Sequence, residues 1–271
     1  LVAGAVGAAE YTVLPRVETE AITVDGHLSD WTGGPGRFVL EGPAHATYRA
    51  LGNAAAWSGP ADHGAVVSLA WCDGGIYLAA EVTDDAIRQP YRGREVWKGD
   101  YVNLWIDTTP VADLEREELG QGQYHIGLHP GNFAGRAGGD GVIPPSIFFF
   151  QPQNLALVDG AVQARLSASG WTLEAFLPWA AVGMAAPAAG AYLALEVAVS
   201  DGDQDPPMQE SILTLGTAAW TLKRWRLLPA LLGDAGGHAE TPETERPLAD
   251  EVVFAEPGSR TLSVSVDAIP A

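Results

Sequence analysis

Two alternating runs, Ala65 to Trp71 and Ile76 to Val82, are joined by Cys72-Asp-Gly-Gly75, and this arrangement constrains the fold more than any other feature of the chain. Strand side chains repeat with a period of two, and a short Gly-containing turn between two such runs closes an antiparallel hairpin. The pattern recurs where Ala161 to Ser167 and Trp171 to Leu177 flank Ala168-Ser-Gly170. Tyr101 to Asp107, Gln123 to Leu128, Ser146 to Phe150 and Tyr192 to Ser200 are further runs, the last one apolar enough to be central. Shorter strands are predicted at Ile22 to Trp31, Ile212 to Leu215, Arg226 to Leu228, Val252 to Phe254 and Leu262 to Val266.

Helical signals are weak by comparison. Pro178 to Gly183 reads as one helical turn, with Pro at its start and Gly just past its end. His45 to Trp57 is predicted to form one or two turns inside a Gly-, Ala- and Pro-rich loop spanning 33–63, and 110–121 a short exposed helix or acidic loop. Many short strands with almost no helix predict an all-β protein, an antiparallel, jelly-roll-like β-sandwich with long loop insertions.

A length of 271 residues suits one large β domain. The division expected is 1–20 as a leader or edge segment, 21–232 as the sandwich, 233–250 as an acidic linker, and 251–271 as strands of the same domain. Leu1 to Ala9 is apolar and small, like the remnant of a secretory signal, which predicts a secreted, periplasmic or cell-surface protein. No run approaches the roughly 18 apolar residues of a spanning helix, so membrane insertion is not expected. The net charge of −19 repels nucleic-acid phosphates and anionic lipid surfaces. Cys72 is the single cysteine and is expected to be a packed thiol.

The stretch Glu95 to Asp107 carries the first ligand signal, because Trp97 stands outside the alternation that starts at Tyr101. Asp201-Gly-Asp203-Gln-Asp205 has the alternating oxygens of a calcium loop, although a solvated acidic turn fits the same residues. It is not an EF-hand, since Pro206 takes the place of the required Gly and Ile212 that of the Glu. His125 and His129 share a strand face but stand roughly 13 Å apart, too far for joint chelation. Nucleophile-elbow, zinc-protease helix, phosphate-loop and Rossmann motifs are absent, and the chain is read as non-catalytic.

In sequence order, Ile22-Thr-Val-Asp-Gly-x-x-Ser-Asp-Trp31, Val82-Thr-Asp-Asp85, Trp97-x-x-Asp100-x-Val-x-Leu-x-Ile-Asp107, Gly170-Trp-Thr-Leu-Glu174 to Pro178-Trp179 and Leu195-x-Val-x-Val-x-Asp201 resemble family 9 carbohydrate-binding modules over about residues 20 to 230. That resemblance implies a β-sandwich that holds an oligo- or polysaccharide end between two tryptophans and carries structural calcium. It assigns Trp97 as one of the pair and Trp225, or else Trp220, as the other. Asp100, Asn103, Gln123 and His125 are the expected polar contacts, and Asp84, Asp85 and Asp107 join Asp201, Asp203 and Asp205 as candidate calcium ligands. The chain departs from the sugar-binding pattern by carrying Asn103 in place of a carboxylate, and His125 and Gly127 in place of Arg and Asn. Two further readings follow from the same fold. One is an interaction module, part of a larger extracellular or periplasmic assembly, whose sugar site has eroded. The other is a haem b electron-transfer subunit ligated by Met208 or Met184 with Lys98 or Lys223.

Overall fold

Alternate side chains of the long strands are apolar, so each strand has one face that must be buried, and two sheets satisfy this by packing face to face. The computed structural model describes residues 12–31, 36–50, 56–110, 118–133, 141–153, 160–216 and 227–239. Among them the strands are β1 (Thr12–Leu14), β2 (Arg37–Leu40), β3 (Ala46–Arg49), β4 (His63–Cys72), β5 (Gly75–Asp84), β6 (Tyr101–Asp107), β7 (Gln123–His129), β8 (Ser146–Gln151), β9 (Ala161–Leu166), β10 (Gly170–Pro178), β11 (Tyr192–Asp201), β12 (Ser211–Thr214) and β13 (Leu228–Leu232).

One sheet runs β1-β13-β11-β6-β7-β8, with β12 added beside β11 and β3 beside β12. The other runs β2-β4-β5-β10-β9. Every pairing of these strands is antiparallel except β1 with β13. The architecture is the all-β, jelly-roll-like sandwich that the alternation predicts, and β11 is central, with β6 on one side and β12 and β13 on the other.

The core lies between the sheets. Val67, Leu69, Leu78 and Ala80 from one sheet meet Val102, Leu104, Ile126 and Val197 from the other. Each fully buried side chain of this size contributes about 1.5–3 kcal/mol. Trp71, Trp171 and Trp179 are also in this core, and each indole N–H finds an acceptor: Gly233 O at 2.9 Å, Asp84 Oδ2 at 3.1 Å and Cys72 O at 2.8 Å. Buried tryptophans keep this polar end satisfied, which fixes their orientation. Cys72 is a buried free thiol, as expected.

Several local expectations are corrected. Residues 22–31 are not a strand but a loop with a 3-10 turn at Leu28–Asp30. The cause is Glu174 on β10, whose carboxylate accepts from Asp25 N at 3.0 Å, Gly26 N at 2.7 Å and Trp31 Nε1 at 2.9 Å. Donors that a neighbouring strand would have taken go to a side chain instead. Residues 46–49, expected to be helical, form β3, where Thr47 and Tyr48 follow their strand preference and pair with β12. The 33–63 loop also contains β2, and the strand expected at 226–228 begins at Leu228.

The turn at Trp179–Val182 forms as the sequence indicates, and Gly183 ends it at φ 67°, a conformation that favours glycine. The strands expected at 252–254 and 262–266 lie outside the described residues, as do residues 111–117 of the acidic segment. Among the described residues no helix is long and apolar enough to cross a membrane.

Candidate functional site

Alternation on β6 sends Val102, Leu104 and Ile106 into the core and turns Tyr101, Asn103 and Trp105 to the outer face of the larger sheet. Beside it, β7 turns out His125 and Gly127, and β8 turns out Phe148 and Phe150. The result is an aromatic array. His125 is stacked between Trp105, with centroids 4.3 Å apart, and Phe150, at 4.4 Å. Phe148 meets Phe150 edge-on at 5.0 Å, and Tyr101 lies 6.2 Å from Phe150.

The departures from the sugar-binding pattern are coordinated. His125 Nε2–H donates to Asn103 Oδ1 at 2.8 Å, because a carboxamide oxygen can only accept. Burial holds the His125 pKa down at about 3, so the pair is neutral. Asn103 Nδ2 is left as a buried donor with no hydrogen-bond partner. Gly127 is needed for space, since a Cβ there would lie 2.8 Å from the Phe150 ring. In place of the carboxylate and Arg of the sugar-binding pattern, this chain has a neutral, hydrogen-bonded Asn103–His125 pair.

Trp97 lies on the 3-10 turn Gly93–Lys98 and is 37% exposed. Buried Val96 sets that turn over β7, 3.5 Å from the Cβ position of Gly127, and Gly93 approaches the Phe148 ring. The sequence gives no hint of this neighbourhood, because Phe148 and Phe150 look like ordinary members of an apolar strand. Lys98 reaches over the Trp97 ring at 5.8 Å while ion-paired to Glu95. Trp225 and Trp220 lie outside the described residues.

The remaining polar candidates are placed elsewhere. Gln123 is buried, accepting from Gly120 N at 2.6 Å and donating to Asp107 at 3.3 Å. Asp107 also accepts from Thr109 N, and neither it nor Asp205 joins a carboxylate cluster among the described residues. His129 has both ring nitrogens occupied, by Tyr91 O and Gly131 N, which removes it from chelation. Of the haem-ligand candidates, Lys98 is ion-paired, Met184 packs against the core, Met208 is 42% exposed and Lys223 lies outside the described residues.

Asp100 belongs to a second centre. It is fully buried, and its carboxylate accepts from Arg88 N and, at 3.0 Å, from Gly202 N. With Asp84 and Asp201 it forms one trio of oxygens within 4.8 Å of one another; Asp201, Asp203 and Glu210 form another, and Asp62, Asp85 and Asp203 a third. Asp84, Asp85, Asp201 and Asp203 were anticipated as ligands, whereas Asp62, Asp100 and Glu210 were not. No lysine or arginine is paired with Asp84, Asp100, Asp201 or Asp203 among the described residues.

Burial first, and then mutual repulsion, pushes Asp100 and Asp201 well above the usual carboxylate range. Burial likewise raises Asp84 to about 6 and Asp203 to about 7. Asp201 Oδ1 and Asp203 Oδ1 are buried without a donor. Carboxylates that converge without a paired cation, two of their buried oxygens lacking any donor, suit a hard divalent ion, so this cluster can coordinate one.

The carbohydrate family 9 binding domain-like model matches residues 39–226. A family 9 carbohydrate-binding module from Caldicellulosiruptor kristjanssonii, in complex with cellotriose, superposes with a TM-score of 0.55 at 14% identity, covering 84% of this chain and 97% of the other. The same kind of module from that organism in complex with glucose gives 0.55 and 14%, covering 81% and 96%. No curated protein matches the sequence. On a sandwich of this topology, with a match spanning most of its length, the chain belongs to the carbohydrate family 9 binding domain-like family, whose members bind carbohydrate without catalysis.

Proposed function

We propose that this protein binds saccharides outside the cytoplasm, on the outer face of the larger sheet beside Trp97, and that the carboxylate cluster holds calcium. The observation that carries the reading is the aromatic array of Tyr101, Trp105, Phe148 and Phe150 around the neutral Asn103–His125 pair, with Trp97 exposed at its rim. A pyranose presents an apolar C–H face that packs on aromatic rings, while its hydroxyls need aligned polar partners. An uncharged set of partners suits a neutral sugar. Cellotriose and glucose, held by the two similar structures, are the natural first probes.

Calcium is favoured over magnesium by the donor set. Three carboxylate trios, linked through Asp201 and Asp203, offer flexible oxygens of the kind Ca²⁺ accepts, whereas Mg²⁺ demands a tight octahedron and retains water. Asp84, at the end of β5, and Asp100, just before β6, would hold the ion together with Asp201 and Asp203, neutralising charges that otherwise repel.

Calorimetric titration with cello-oligosaccharides, followed by a glycan array, tests the sugar reading. Saturable binding that falls at least about tenfold in Trp97→Ala is expected, from the loss of a stacking ring. Absence of binding across the array, or an affinity indifferent to Trp97→Ala, would leave the fold as an interaction module.

A further inference from the structure

We propose a second ligand site, on the opposite sheet and away from Trp97, that takes a single saccharide ring bearing a carboxylate, a uronic acid. A cleft of about 240 Å³ opens over the outer face of β4, between the Pro15–Val17 segment and the loop that ends at Trp31. It is smaller than the ~300–1,000 Å³ of sites for drug-sized ligands, which fits one ring and not a chain.

Arg37 and Ser68 are direct cross-strand partners on β2 and β4, so their side chains share the outer face where the cleft lies. Arg37 has no hydrogen-bond or ion-pair partner among the described residues, in a chain with 34 acidic groups against 15 basic ones. The second guanidinium in the cleft, Arg16, is already engaged by Asp73 at 2.6 Å. Arg37 is therefore the free fork, and a planar guanidinium recognises a carboxylate through two parallel hydrogen bonds.

The opposite wall supplies the sugar chemistry. Trp31 is held by its indole N–H on Glu174, so its half-buried ring is preset and ready to take a C–H face. Next to it, the Asp30 carboxylate, anchored by Thr23 N–H at 3.0 Å, is an acceptor for ring hydroxyls. One fixed ring, one unpaired guanidinium and one acceptor acid match a hydroxylated ring with a single carboxylate better than they match a neutral sugar or an inorganic anion.

Titration of the isotope-labelled protein with methyl glucuronoside, methyl glucoside and acetate, followed by NMR, tests this. The glucuronoside is expected to shift the Trp31 indole N–H saturably and to bind at least about tenfold more tightly than either control. Arg37→Gln is expected to weaken it about tenfold or more, the scale of a lost charge-assisted pair, and Arg37→Lys to weaken it less. Unchanged Trp71 and Trp171 indole signals verify the fold of each variant. No saturable shift at Trp31, equal affinity for glucoside or acetate, or an Arg37→Gln variant that binds like wild type would each overturn the proposal.

Discussion

Asn103 and His125 are joined across β6 and β7 by a hydrogen bond of 2.8 Å, and the same imidazole is stacked between two aromatic rings. Burial keeps it neutral, with a pKa near 3. Replacing the amide by a carboxylate in Asn103→Glu is expected to raise the His125 pKa by about 1–3 units, since a nearby negative charge favours imidazolium. The titration of its ring protons by NMR reads this directly. An unmoved pKa would mean that the new carboxylate does not reach His125.

Gly127 and Phe150 are sterically coupled. Gly127→Asn is expected to cost about 1–3 kcal/mol, because its Cβ would collide with the Phe150 ring at 2.8 Å. In the background of Phe150→Ala that cost is expected to shrink. Urea unfolding of the two single variants and the double variant gives the coupling; simple additivity would contradict the geometry.

Calcium is expected to raise the melting temperature. At about one hundred times its Kd a ligand adds about 2.7 kcal/mol, which for a unit of this size is about 5–10 °C. Magnesium is expected to add less, and Asp201→Asn to remove most of the calcium effect. A thermal scan in EGTA, with and without added ion, measures it. Equal melting temperatures in calcium and EGTA would sink the metal assignment.

Glu196 sets a pH dependence independent of any ion. Burial lifts its pKa to about 8 against the three backbone N–H groups of Gly216, Leu215 and Val197 that hold it. A carboxyl raised in the folded state favours folding fully below its unfolded pKa of about 4.3, and that contribution is lost as pH rises through about 8. Stability is therefore expected to decline between pH 5 and 8, and to decline less in Glu196→Gln, which imitates the protonated form. Parallel slopes for the two proteins in denaturant midpoint against pH would contradict it.

The long hairpins and the sandwich were legible because alternation at a spacing of two reports burial directly, as in Val67, Leu69 and Trp71 against Ile76, Leu78 and Ala80. Long-range side-chain capture was not legible. Glu174 sits 143 residues from Trp31 and still decides that residues 22–31 do not form a strand. Trp105 is buried on the face of its sheet away from the core, among Ala194, Ala198 and Ile212. Parity along β6 places it there, but an apolar neighbourhood on both faces hides the distinction. Asp62 and Glu210 reach the acidic cluster only through chain folding, since neither lies in a motif with the Asp201 loop.

Two residues separate Trp97 from Asp100, and the backbone around them is pinned, because Gln89 Nε2 donates to the Val96 carbonyl at 2.9 Å and to the Asp100 carbonyl at 2.8 Å. The rim of the aromatic face and the carboxylate cluster are consecutive parts of one short lever. If the proposed ion sits at Asp100, it would stiffen the platform from which Trp97 projects, and a sugar resting on Trp97 would then, by thermodynamic reciprocity, tighten the hold on that ion. On the proposed function, grip on the glycan would then follow the calcium level around the protein, with no moving part larger than a single turn.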